Sequence, residues 1–231
     1  MLKSRLIVLL SLALAPSCTV PDLVIDPLHG NDGTHLTISG ELEEAENFYR
    51  YLDPDGDGIP YRTYPGVHPK GAYFVRGSGH NKYGAYTEES DEYQEVMDRL
   101  CLKWETAATL VPAPAIRKSP KPTDIAVVSV GSCDYAVLEA IEHLAASGIY
   151  LDYLRVRAFP FSDEVEEFLE QHERVFVVEQ NRDAQLKSLL TLETDYPKNR
   201  MISVLNYSGL PIDCRCIIGA IEQAVAKGVA A

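Results

Sequence analysis

Basic charge is scarce in this chain. Its 21 lysines and arginines face 34 aspartates and glutamates, a formal net charge of −13. A nucleic-acid partner is thereby excluded, because phosphate backbones are bound by clustered cations. Cysteines are few and poorly spaced for metal: Cys18, Cys101, Cys133, Cys214 and Cys216 include no Cys-x-x-Cys pair. A structural zinc or an iron–sulfur cluster takes about four thiolate or imidazole ligands at suitable spacing, so no metal set is read here. The expectation is small buried thiols in a reducing compartment. Gly-x-Gly-x-x-Gly, a Walker loop and a nucleophile elbow are all missing. Long apolar runs are missing too. Leu6 to Ala15 follows Lys3 and Arg5 but is too short to span a bilayer. It reads either as an export signal with a lipoprotein-like Cys18 or as a buried parallel strand, Leu6 to Leu10.

What is present suffices for a real core: 231 residues, of which 46% are hydrophobic and 24% charged. Thr19 to Gly40 is rich in turn residues, and Glu41 to Tyr51 is compatible with a short acidic helix. The most informative stretch is Asp55 to Tyr86, DGDGIPYRTYPGVHPKGAYFVRGSGHNKYGAY. Its glycines and prolines rule out regular structure, while its tyrosines, histidines and basic residues are unlike a floppy linker. Ordered loops of this length usually build a site or meet a partner. Next, Ser90 is expected to cap a helix with Asp91 and Glu92 in its first turn. Along that helix Tyr93, Val96, Met97, Leu100, Cys101 and Trp104 form one apolar stripe, read as packing surface.

Pro112 to Pro122 is proline-rich and basic, and reads as a linker. After it, apolar strand candidates (Ile125 to Val130, Tyr150 to Val156, Val175 to Val178, Ile202 to Leu205) alternate with helical patterns. That alternation implies right-handed crossovers and a doubly wound parallel α/β sheet from about Thr123 onward.

Each candidate site residue has an ordinary reading beside the functional one. Glu179, Asn181 and Gln185 follow a strand at the carboxyl edge, where parallel sheets bind ligands. Helix capping explains Asn181 alone, so an interface or positioning role is preferred for the group. His80 and Asn81 sit among glycines that let a backbone approach a ligand, but one histidine without a placed partner is slender grounds for acid–base work. Arg62 and Arg76 can bind a carboxylate bidentately or simply pair with acidic neighbours. Asp53, Asp55 and Asp57 superficially resemble a calcium loop, yet the twelfth position is Tyr64 rather than glutamate. Tight Asp-Gly turns are the better reading. Gly131-Ser132 likewise reads as a turn more than an anion nest.

Taken in order, DGDGIPYRTYPG, GSGHNKYGAYTE, WETAATLVP and VFVVEQNRDAQL resemble the C-terminal part of the alpha subunit of 2-oxoacid:ferredoxin oxidoreductases, especially the 2-oxoglutarate type. The last unit is similar to a transketolase C-terminal domain. The resemblance implies four pieces: a remnant of a pyrimidine-type domain (1–40), a loop tract with its helix (41–111), a linker (112–122) and a transketolase-like α/β domain (123–231). It also implies a start partway through a longer protein. Family chemistry is decarboxylation of a 2-oxoacid on thiamine diphosphate, with electrons passing to iron–sulfur clusters and ferredoxin and the acyl group to coenzyme A. The resemblance places cofactor and clusters on a partner beta subunit, and electrons leave through that partner. This chain is then expected to supply interface and active-site walls in a cytoplasmic complex, with Arg62, His80, Asn81, Glu179, Asn181 and Gln185 as positioning or interface residues. It is expected to hold no catalytic group, cofactor or metal, and to be inactive alone. The rival is an exported or lipid-anchored α/β binding protein.

Overall fold

The computed structural model describes residues 48–60, 69 and 77–226, which fall into two compact units, 48–110 and 111–226. The expected segment 1–40, most of the helix expected over Glu41 to Tyr51, and Arg62 and Arg76 lie outside the described residues.

The first unit is built on helix α1, Ser90–Leu110, with Asp91 and Glu92 in its first turn. Ser90 is the helix's first residue, not its cap. Within the apolar stripe Val96 is buried, Met97, Leu100 and Trp104 are half-buried, and Tyr93 and Cys101 are exposed. The stripe is therefore covered along its middle and open at Tyr93. Against another side of α1 lies the Asp-Gly turn. Gly58 has φ +84°, and a Cβ there would stand 2.3 Å from the Lys103 backbone nitrogen. Only glycine permits that approach. Arg99 donates to the Gly58 carbonyl at 2.8 Å and Thr106 to the Asp57 carbonyl, fixing the turn on the helix.

The second unit is a mixed five-stranded sheet in the order β1-β3-β2-β4-β5. Its strands are β1 Ala115–Arg117, β2 Ile125–Val130, β3 Asp152–Val156, β4 Arg174–Glu179 and β5 Met201–Leu205. Strands β3, β2, β4 and β5 run parallel. The expected doubly wound parallel arrangement holds, with one antiparallel addition. β1 pairs with β3, Ile116 opposite Leu154, so the stretch 112–122, expected as a linker, contributes an edge strand. All three β1 residues are exposed, which removes the apolar signal by which strands are recognised.

The two faces carry separate cores. Helix α2 (Asp134–Ala146) and helix α5 (Cys214–Ala226) cover one face. There Val137, Leu144, Ile217 and Ile221 meet Val127, Phe176 and Val178. Helix α3 (Asp163–Glu170) and helix α4 (Gln185–Glu193) cover the other, where Phe168, Leu169 and Leu190 meet Ala126, Val128, Val175 and Val177. Successive strand residues thus feed opposite cores, which is why Ile125 to Val128 of β2 and Val175 to Val178 of β4 read as continuous apolar runs. Ser162 precedes α3 in an extended conformation, but its hydroxyl makes no cap bond. The first turn is closed by backbone instead, Val165 N–H donating to the Ser162 carbonyl at 3.0 Å.

At the amino end of β3 a polar cluster closes the sheet. Asp152 accepts from the Ser119 amide (2.8 Å) and from Lys118 (2.9 Å), and bonds His172 Nε2 (3.1 Å). Burial raises the Asp152 carboxyl pKa, but these donors outweigh it and hold the group below its ordinary range.

Candidate functional site

The chain order of the parallel strands reverses direction between β2 and β4, so the crevice at their carboxyl ends is where an open α/β sheet offers a ligand or partner site. Three loops meet there: 131–133 after β2, 180–184 after β4 and 206–213 after β5. Gln180 ties them together. Its Nε2 donates to Ser132 Oγ at 2.8 Å and its Oε1 accepts from the Ile212 amide at 2.9 Å. Beneath the bridge Cys133 is buried, and that burial pushes its thiol pKa up. Gly131–Cys133 forms a single 3-10 turn. The turn reading of Gly131-Ser132 describes this geometry.

Glu179, expected as an interface or positioning residue, lies at the end of β4. Its side chain is 1% exposed. Its carboxylate accepts from the Leu186 amide (2.6 Å), the Lys187 amide (3.1 Å) and Asn181 Nδ2 (2.8 Å). It therefore caps the first turn of α4 from the end of β4, satisfying donors a helix start leaves open. Asn181 Oδ1 accepts from the Asp183 and Gln185 amides at 3.0 and 3.2 Å. Between them Ala184 takes φ 50°, a left-handed conformation unusual for a residue with a Cβ. Gln185 opens α4 and is exposed. Of these three residues, two carry the connection and one reaches solvent.

A second network lies beside β2. Tyr153 donates to Asp134 Oδ1 at 2.8 Å and shares a 2.7 Å bond with Ser129, while Arg155 holds Asp134 Oδ2 at 3.0 Å. Burial, followed by the neighbouring Asp134 carboxylate, drives the Tyr153 phenol far above its usual range and keeps it protonated. Around the same edge Val130, Tyr135, Tyr207 and Leu210 face solvent, Tyr135 at 83% and Leu210 at 73% exposure.

In the first unit His80 and Asn81 are brought together by a tight loop. Asn81 Oδ1 accepts from the Tyr83 and Ala85 amides, both at 3.1 Å, and its own amide N–H donates to the Ala85 carbonyl at 2.9 Å. His80 stacks on Tyr51 with ring centroids 4.0 Å apart, and its Nδ1 contacts the Asn81 carbonyl at 2.9 Å. Asn81 acts as a loop organiser and His80 as an aromatic pin. Asp53 similarly turns its loop, accepting from the Gly56 and Gly58 amides at 3.0 and 2.8 Å. The carboxylates of Asp53, Asp55 and Asp57 lie within 4.8 Å of one another. Arg62 lies outside the described residues.

Sequence reasoning passed over Gln180, the residue that joins all three carboxyl-edge loops. Position was the available signal, since it sits between two residues that were selected. Asp134 and Arg155 carried no such signal, because their partners are remote in sequence.

No family model matches the chain. It is 29% identical over 197 residues to 2-oxoacid:ferredoxin oxidoreductase 2, subunit alpha, of Aeropyrum pernix, which spans 84% of this chain and 30% of that protein. Among solved structures it is similar to the 2-oxoglutarate:ferredoxin oxidoreductase of Magnetococcus marinus, described with 2-oxoglutarate, coenzyme A and succinyl-CoA bound. That likeness has a TM-score of 0.67 and 20% identity, covering 79% of this chain and 32% of the other. The second comparison shows a shared fold; the first shows similarity to an oxidoreductase alpha subunit. This chain spans less than a third of the curated relative's length. Among the described residues no helix is long and apolar enough to cross a membrane.

Proposed function

We propose that this chain is part of the alpha subunit of a thiamine-diphosphate-dependent 2-oxoacid:ferredoxin oxidoreductase, which oxidatively decarboxylates a 2-oxoacid to its acyl-CoA. Similarity to the Aeropyrum pernix alpha subunit across 84% of the chain carries the reading. In it, this chain contributes subunit contacts and walls of the active site, and a partner beta subunit contributes thiamine diphosphate and the iron–sulfur clusters. Electrons pass through that partner to ferredoxin, and the complex resides in the cytoplasm. The substrate is 2-oxoglutarate or a near relative.

Among the described residues the cysteines offer no four-thiolate set: Cys133 is buried beneath the sheet edge, Cys101 is on α1, and Cys214 and Cys216 stand as a pair. The carboxyl edge also fits a diphosphate poorly. Arg155 is held by Asp134, Arg182 by Asp183 and Arg215 by Asp213. A partner chain suits the edge better, since Tyr135, Tyr207 and Leu210 expose apolar surface of the kind found at the centre of interfaces. Asn81, His80 and Asn181 then act by fixing loop shape and the exposed Gln185 as a contact for a partner, not by making bonds to substrate.

Co-expression with the host's beta subunit tests the proposal. The expected result is a stable complex that reduces a viologen dye with 2-oxoglutarate and coenzyme A, while either chain alone does not. Two folded chains that fail to associate would sink it, as would turnover by this chain in isolation.

A further inference from the structure

One cluster has no part in that reading. Glu139 and His143 stand one turn apart on α2, so their side chains rise from the same face of the helix. Cys214, the first residue of α5, comes up beside them, and the ligand atoms of all three lie within 4.8 Å of one another. Glu139 and His143 are exposed and Cys214 is half-buried. The helices that carry them cannot easily drift apart. Val137, Ala140 and Leu144 of α2 share one buried cluster with Ile217 and Ile221 of α5.

From this geometry we infer that Glu139, His143 and Cys214 form a binding site for a thiophilic divalent cation of the zinc class, with a fourth position open to water. Carboxylate oxygen, imidazole nitrogen and thiolate sulfur are the donors that zinc accepts, and three protein ligands with an open position is one of its usual arrangements. Zinc bonds of about 2.0–2.3 Å put tetrahedral ligand atoms roughly 3.3–3.8 Å apart, so closure moves side-chain ends by about 1 Å. The carboxylate and thiolate together neutralise a divalent charge. Next to Cys214 the Arg215 guanidinium is held by Asp213 at 2.8 and 3.2 Å.

The consequence is mechanical. A cation here would staple the first turn of α5 to α2 directly after the 206–213 loop, which Gln180 already anchors through Ile212. That loop displays Tyr207 and Leu210. The site would thus stiffen part of the surface assigned above to a partner, yet it stands or falls independently of the oxidoreductase reading.

The test is titration of the reduced full chain with cobalt(II), read by thiolate-to-cobalt charge-transfer absorption and tetrahedral ligand-field bands. One equivalent is expected to saturate the bands, and zinc to displace it. Cys214→Ser should abolish the charge-transfer band, and His143→Ala or Glu139→Gln should weaken binding by at least about tenfold. Cys216→Ser, two residues away but outside the cluster, should leave the spectrum intact. Far-ultraviolet circular dichroism confirms folding; if Cys214→Ser does not fold, the exposed Glu139→Gln and His143→Ala variants decide. A titration without a thiolate band overturns the site, as do a band retained in Cys214→Ser, equal loss in Cys216→Ser, and affinity untouched in both α2 variants.

Discussion

Replacing Glu179 by alanine separates a residue that builds the fold from one that waits for a ligand. The carboxylate is 1% exposed and accepts from the amides of Leu186 and Lys187 and from Asn181 Nδ2. Its removal takes away a helix cap, which costs about 1 kcal/mol. It also strands the buried Leu186 amide, which costs a further 1–3 kcal/mol or so. The sum is about 2–4 kcal/mol, and for a unit of this size that lowers Tm by roughly 8–16 °C. Glu179→Gln keeps the volume and one acceptor oxygen but turns an NH2 group toward a donor, so about half the loss is expected. Thermal unfolding followed by circular dichroism gives the magnitude. Amide exchange at Leu186 and Lys187 gives the location, and both amides should exchange faster in the alanine variant. An alanine variant melting within about 2 °C of the parent would refute the capping role. Ligand or partner contact would then be the surviving explanation for this glutamate.

Other consequences are more quickly stated. Gly58→Ala forces a Cβ against the Lys103 backbone at 2.3 Å and strains φ +84°, so the loss should reach about 2 kcal/mol or more, seen as a lower denaturation midpoint. Ala184→Gly relieves the left-handed φ of 50° against a more flexible unfolded chain, and a gain of about 0.5 kcal/mol is expected in denaturant titration. The Asp152 carboxyl is held below its ordinary value, with burial opposing and the bonds from Ser119, Lys118 and His172 prevailing. Its contribution is therefore fully present above the unfolded-state value and is lost as pH falls through the lower folded one. Asp152→Asn should reduce stability near neutral pH and flatten its acid-side decline, measured as midpoint against pH; an unchanged slope would refute the linkage. Gln180→Ala should loosen the carboxyl edge by releasing Ser132 and Ile212, and beta-subunit binding should weaken more than stability falls.

The amino-acid sequence alone determined the α/β unit. β2 and β4 are buried on both faces, so each carries a run of four apolar residues, Ile125 to Val128 and Val175 to Val178, and helical spacing between such runs leaves little choice but a parallel doubly wound sheet. It also determined that Asp53 would turn the chain, because its side chain bonds amides only a few residues away. Local chemistry of that kind is written in linear order. The edge strand β1 was not legible, since its three exposed residues carry no periodic signal and its pairing depends on β3, far along the chain. Glu179 was noticed for its position at the strand end, but its bonds to the first turn of α4 were not legible, because burial is a property of the packed sheet. Only the tertiary structure brought Gln180 to Ser132 and Ile212, and Cys214 to Glu139 and His143. Those encounters are set by how strands are ordered and helices docked, and no spacing within a single segment encodes them.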